Sequence, residues 1–263
     1  MGVALYHILI LAIVQGITEF LPISSSGHLV IVGEILAAWS GQKPPESLNL
    51  TIVLHLGTLM SILVFYARRI VHIITEDRRT IGLLIVGSIP AVIVGLSLNH
   101  YYEKLLDNPV LTGFMLLLTG VVLLTSARCR QGTGNYQQLT LWRALAVGVS
   151  QAASILPGIS RSGTTICTGL GVGMTGESAA TFSFLLAIPV IGGASLLKLK
   201  PIVFAAEPTT SVVNLLIGAA IAFAVGLVAL RWLVSWLAKG RLWWFAPWCF
   251  VAGTAVLCWQ LWP

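Results

Sequence analysis

The chain has 263 residues, of which 57% are hydrophobic and 9% charged, with a net charge of +6. Soluble domains carry about 25% charged residues. A mean hydropathy of +0.92 therefore excludes a soluble enzyme, a nucleic-acid-binding module and a disordered chain, and leaves a polytopic membrane protein without a nucleic-acid partner. The basic excess reads as the positive-inside bias of cytoplasmic loops rather than as a site for acidic partners.

In chain order, the first apolar region covers residues 3–39 and is interrupted at Pro22-Ile23-Ser24-Ser25-Ser26-Gly27. Its start, Met1 to Val14, lacks a basic flank, so no cleavable signal is expected. Three uninterrupted apolar segments follow at about 49–66, 80–98 and 110–127. The region 144–175 is broken again, at Pro157-Gly158-Ile159-Ser160-Arg161-Ser162-Gly163, and three more segments follow at about 177–197, 212–230 and 242–262. Each broken region reads as a re-entrant helical hairpin, because irregular backbone at membrane depth survives only inside protein or beside a wet cavity.

The two breaks resemble each other, as do Ile89-Pro90-Ala91-Val92-Ile93 and Ile188-Pro189-Val190-Ile191. The predicted architecture is thus an all-α polytopic membrane protein forming one membrane domain over 1–263. It contains inverted repeats, about 1–127 and 128–263, each one hairpin plus three crossings. An odd number of crossings inverts the second half.

Ten basic residues then share one side: Arg68, Arg69, Arg78, Arg79, Arg128, Arg130, Arg143, Arg231, Lys239 and Arg241. Four lie opposite, Lys43, Lys104, Lys198 and Lys200, offset by Glu46, Glu103, Asp107 and Glu207. This split puts both termini outside, and the hairpin tips are expected to meet near the midplane.

The first tip carries Gln15 and Glu19, four apart and so on one helix face. A carboxylate in an apolar segment costs about 2.5–3.5 kcal/mol on insertion scales, and persists when it faces a cavity with a partner. Next come Ser24, Ser25, Ser26, Gly27 and His28. Hydroxyls and free backbone N–H groups at a helix start suit an anion. The second tip carries Ser160, Arg161, Ser162, Gly163 and Thr165, and Arg161 is the basic residue that falls in no loop. A guanidinium at that depth needs an anion, which its fork grips bidentately, and Glu19 is the expected resting partner. Serines, threonine and arginine at a helix start favour a phosphate, although no Walker loop is present.

His55 and Glu34 read as helix-packing or interfacial residues, and Glu177 as favouring its helix N-terminus. Trp243, Trp244, Trp248, Trp259 and Trp262 read as an interfacial belt. Cys129, Cys167, Cys249 and Cys258 form no CxxC pair, and no closed metal cage is expected.

Two long stretches carry a family resemblance. Gln15 through His28 is similar to the motif (E/Q)GxxEFLPxSSxGH, and Pro157 through Thr165 to PGxSRSGxT, of the undecaprenyl-diphosphate phosphatases of the bacitracin-resistance BacA type. Phe182-Ser183-Phe184-Leu185-Leu186-Ala187-Ile188-Pro189 also looks like that family.

The resemblance implies hydrolysis of undecaprenyl diphosphate to the monophosphate in the bacterial plasma (inner) membrane, with a site open to the periplasm. It implies a polyprenyl diphosphate lipid as partner, surrounding membrane lipid, and a homodimer as an open option. It further implies Mg²⁺ or Ca²⁺, held through the diphosphate with Glu19 and Gln15. Arg161 would stabilise the transferring phosphoryl group and Ser25 is a candidate nucleophile with His28 or Glu19 as base. Direct attack by water, with His28 as acid or base, is equally open. Ser24, Ser26, Gly27, Ser160, Ser162, Gly163 and Thr165 would surround the phosphates. The rival reading is a transporter or lipid-carrier flippase on the same inverted repeat.

Overall fold

A computed structural model describes residues 2–41, 47–101, 108–129, 132–203, 211–237 and 239–261. Within them the chain is helical, with one isolated bridge between Gly134 and Met174 in place of any strand. The helices are α1 (Gly2–Thr18), α2 (Ser25–Ser40), α3 (Ser47–Phe65), α4 (Ala67–Thr75), α5 (Arg78–Tyr101) and α6 (Pro109–Ser126). Then follow α7 (Leu141–Ala153), α8 (Arg161–Gly171), α9 (Gly176–Val203), α10 (Val212–Leu237) and α11 (Ala246–Leu261).

All six expected crossings are helical. Five are long and apolar enough to span a membrane by length and composition, six if α3 and its bent continuation α4 count together. The chain is a multi-pass membrane protein. Its outward face says the same: α5 turns Ile85, Ile89, Ile93 and Leu96 outward, and α10 exposes Val212, Val213, Leu216 and Val228. In lipid that is the favourable arrangement, since no hydrophobic drive removes such side chains from the surface.

Two elements differ from expectation. Residues 67–75, read as loop because of Arg68 and Arg69, form α4, which leaves α3 at 70°. It buries Ile73 and exposes Arg68 and His72 together with Val71 and Ile74, the pattern of a helix lying along a membrane surface. The segment before α7 carried no motif, yet it is an ordered strap. Tyr136 is buried within it, and Arg79 donates to the carbonyl oxygens of Gln137 and, at 2.7 Å, Leu139. Arg69 donates to the Tyr136 hydroxyl at 3.3 Å, so two of the basic loops are held together at one end of the bundle.

Both broken regions are helical hairpins. Gly134 N–H donates to Gly173 O, and Thr175 N–H to Gly134 O, each at 3.0 Å. The chain entering the second hairpin thus touches the chain leaving it. The helix α7 lies on α5 so closely that a Cβ on Gly148 would come within 2.2 Å of Gly87 O. Correspondingly, α1 lies on α10.

The central element is α9, whose run Phe182 to Ala187 is buried throughout. A helix apolar and buried on all sides belongs in the core of a bundle. Its Phe184 sits 5.6 Å, centroid to centroid, from Phe20 of the first hairpin. Arg130, Trp262 and the expected outer-loop charges Lys43, Glu46, Glu103, Lys104, Asp107 and Glu207 lie outside the described residues, as do the side chains of Lys198 and Lys200.

Candidate active site

The two tips meet. Ser24 caps α2, its hydroxyl accepting from Gly27 N–H at 3.3 Å, and it also accepts from Gly158 N–H of the other tip at 3.2 Å. In return, Ser162 donates to Leu21 O at 3.2 Å. Ser160 caps α8, accepting from Gly163 N–H at 3.1 Å. The helix α6 clamps the second tip, since Thr119 donates to Gly158 O at 2.8 Å and accepts from Ser160 N–H at 3.1 Å. Gly158 has φ +94°, and a Cβ there would lie 2.4 Å from Thr112 O, so only glycine fits. Ser24 itself stands at φ 70°, a conformation that costs a non-glycine residue about 1–3 kcal/mol and is held by these cross-tip bonds.

Glu19 is the first residue beyond α1 and is 6% exposed. One carboxylate oxygen accepts from Arg161 Nη2 at 2.7 Å, which is the expected resting pair. The other accepts from the Ser25 hydroxyl at 2.6 Å and from Gln15 Nε2 at 3.0 Å, with His55 Nε2 at 3.6 Å. Arg161 heads α8, lies over the Phe184 ring at 5.6 Å, and leaves Nη1 buried without a partner.

A cavity of about 220 Å³ opens over this group. Glu19, Ser24, Ser25, Ser26, Ser160 and Arg161 line it, all of them anticipated. Its apolar lining includes Ile155, Ile159, Val190 and Ile191. The other anticipated residues lie behind. Gln15 is fully buried against Glu19 and Thr58. Gly27 and Gly163 let the tips close, and Ser162 ties them. Thr165 bonds to Arg161 O and the Ser183 hydroxyl, both at 2.6 Å, fastening α8 to α9.

His28 is not in the cavity wall. Its Nδ1 lies 2.8 Å from Ser24 O, and Nε2 accepts from the Trp248 indole at 2.9 Å. A carbonyl can only accept, so Nδ1 carries the proton and both nitrogens are engaged. Trp248, read as belt, has this second attachment. His55, read as a packing residue, lines the cavity beside Glu19, and so does Gln151, which the motifs did not single out.

Among the described residues, no group of three or more His, Cys, Asp or Glu side chains is placed to hold a metal ion. Glu19 is the one carboxylate in the cavity wall, and three donors, Arg161, Ser25 and Gln15, already bond to it. Gln15 keeps an unpartnered Oε1 but does not reach the cavity wall. That donor set fits a hard cation arriving on a diphosphate, which supplies most of the oxygens, and does not fit a resident ion held by Glu19 and Gln15.

Relatives are similar in sequence over almost the whole chain. It is 50% identical over 254 residues to an undecaprenyl-diphosphatase of Rhodopirellula baltica, covering 96% of this chain and 97% of the relative. It is 40% identical to one of Desulfatibacillum aliphaticivorans, covering 95% and 97%, and 36% identical to one of Halothermothrix orenii, covering 96% and 97%. The sequence profile of the family described as "Bacitracin resistance protein BacA" matches residues 8–255. A cross-tip site of Glu19, Ser25 and Arg161 within a multi-pass helical bundle, and a profile match across all but the chain's ends, lead to one assignment: this chain belongs to the bacitracin resistance protein BacA family.

Proposed function

We propose that this protein is an integral-membrane phosphatase that hydrolyses undecaprenyl diphosphate to undecaprenyl phosphate and inorganic phosphate. The observation that carries the reading is the Ser25 hydroxyl donating to Glu19 while Arg161 holds the other carboxylate oxygen. A hydroxyl hydrogen-bonded to a base is an activated nucleophile, and an arginine beside it is a clamp for phosphoryl oxygens.

The diphosphate enters with its head at the tips and its polyprenyl tail along Ile155, Val190 and Ile191. Arg161 turns from Glu19 to the terminal phosphoryl group, which also engages the free Nη1. Released from its cation, Glu19 takes the proton of Ser25. The Ser25 oxygen bonds to the terminal phosphorus, and the anhydride P–O bond breaks with undecaprenyl phosphate leaving. Glu19 passes that proton to the departing phosphate oxygen. Water, deprotonated in turn by Glu19, attacks the phosphoserine phosphorus, and the Ser25 O–P bond breaks as Ser25 takes the proton back from Glu19 and phosphate is freed. Mg²⁺ or Ca²⁺ carried on the diphosphate supplies further charge neutralisation when bound.

His28 positions Ser24, and through it the start of α2, rather than moving a proton. Glu19 serves as the base because it is the group in contact with Ser25. Supporting the inverted repeats of about 1–127 and 128–263, α1 packs on α10 as α7 packs on α5, which is an exchange of equivalent helices between the halves. The basic loops would then face the cytoplasm and both termini the periplasmic side of the inner membrane, with the site open to the periplasm.

The test is phosphate release from undecaprenyl diphosphate by purified protein in detergent, without a membrane gradient. A phosphatase turns over repeatedly under those conditions. A flippase or ion-coupled carrier releases none.

A further inference from the structure

Gln151 lies in the last turn of α7, lines the cavity and is 2% exposed. Both of its amide atoms, Nε2 and Oε1, are buried and have no hydrogen-bond partner among the described residues. Burying an amide unpaired is costly, and an apolar side chain of similar size would be more stable there if packing were the only role. The side chain lines the same cavity as Glu19, Ser25 and Arg161.

The first hairpin also has a glutamine in the last turn of its first helix, seven residues before Pro22 where Gln151 stands six before Pro157. In Gln15-Gly16-Ile17-Thr18-Glu19 the amide donates to the carboxylate one turn on, at 3.0 Å. In Gln151-Ala152-Ala153-Ser154-Ile155 the residue one turn on is Ile155, which can accept nothing. The second hairpin therefore presents a glutamine donor whose acceptor is missing from the chain. Arg161 Nη1 is a second buried donor in want of an acceptor. Phosphoryl oxygens answer both donors, and a water beside the phosphate answers Gln151 Oε1.

We infer that Gln151 is a substrate-contacting residue, its Nε2 binding a phosphoryl oxygen of the diphosphate beside Arg161 and its Oε1 orienting a water at the reacting phosphorus. This rests on the phosphatase reading. It assigns a role to a residue outside the two family-like motifs.

The experiment compares wild type with Gln151→Leu and Gln151→Glu, following phosphate release and thermal unfolding in detergent. Gln151→Leu removes both polar atoms at nearly constant size. It is expected to lower kcat/KM at least about tenfold, as for loss of a hydrogen bond to a charged group, with an unchanged or raised unfolding temperature. Gln151→Glu keeps an acceptor but sets a negative charge against the phosphate, so KM should rise more than kcat falls. A Leu variant within about twofold of wild type in kcat/KM would overturn the inference.

If the Leu variant proves unstable, the Glu variant's KM-against-kcat split decides, and equal effects on both constants overturn the inference. Should wild type release no phosphate, the phosphatase reading itself fails. Protection by inorganic pyrophosphate against thermal unfolding then decides for Gln151: protection lost in Gln151→Leu supports it as an anion ligand, and equal protection overturns it.

Discussion

Replacing Arg161 separates its electrostatic role from its geometric one. In Arg161→Ala, Glu19, 6% exposed in the wild type, loses its cation. Breaking a buried pair by removing one partner costs about 3–5 kcal/mol. The low end is expected here, because Ser25, Gln15 and His55 remain around the carboxylate. Loss of the contact over Phe184 adds about 0.5–1 kcal/mol. Activity should fall further, by about 10³-fold or more, the range seen when an arginine clamp is removed from phosphoryl transfer. Arg161→Lys restores a cation for Glu19 but not the planar fork, and its single ammonium cannot reproduce both Nη1 and Nη2. Most of the stability should return while kcat stays about 100-fold down, equivalent to about 2.7 kcal/mol in the barrier. Thermal unfolding in detergent and steady-state phosphate release on the same preparations check the two halves. A Lys variant within about threefold of wild-type kcat would show that Arg161 is only a counter-ion to Glu19.

Glu19→Gln keeps the size and removes the base, so phosphate release should fall by about 10²–10⁴-fold with the fold retained; near-wild-type turnover would remove Glu19 as base. His28→Ala should lower kcat about tenfold by freeing the Ser24 carbonyl, and Trp248→Phe should reproduce a smaller part of that loss through the same chain of contacts. A His28→Ala loss as large as that of Glu19→Gln would return His28 to proton transfer. Asp77 accepts from Thr80 N–H at 3.1 Å at the start of α5, so Asp77→Ala should cost about 1 kcal/mol at neutral pH. Partial burial raises its carboxyl, but bonds from Thr80 and Gln137 and the nearby His72 outweigh this and hold it below the usual value. A depressed carboxyl stabilises the fold above its unfolded value and loses that contribution as pH falls through the folded one. The gap between wild type and Asp77→Ala should therefore close in the acid range, and unfolding curves at graded pH would show a constant gap if the bond were unimportant.

Much of the architecture is legible because proline and glycine interrupt apolar runs visibly: the breaks after Leu21 and Leu156 stand where both hairpins turn. The helix α4 is hidden because Arg68 and Arg69 sit at its start, and a short surface helix resembles a charged loop unless Ile70 and Ile73 are followed at helical spacing. At the site, the serine and arginine tips are legible but their division of labour is not. Successive residues at a helix start point about 100° apart, so Ser160 and Arg161 face the cavity while Ser162 and Thr165 face other helices. His55 reaches Glu19 only because α3 packs beside α1. Gln151 is hidden because it stands six residues before Pro157 and Gln15 seven before Pro22, so aligning the halves on their breaks does not pair the two glutamines.

The most direct measurement is single-turnover phosphate release from terminally labelled undecaprenyl diphosphate by wild type and Ser25→Ala in the same detergent, with acid quenching to capture labelled protein. Wild type is expected to release one phosphate per diphosphate and to carry transient label on Ser25. Ser25→Ala is expected to lose essentially all release. Loss of only about 0.5–1.5 kcal/mol, the worth of one hydrogen bond, with no label on wild type would contradict Ser25 as nucleophile and assign the attack to water.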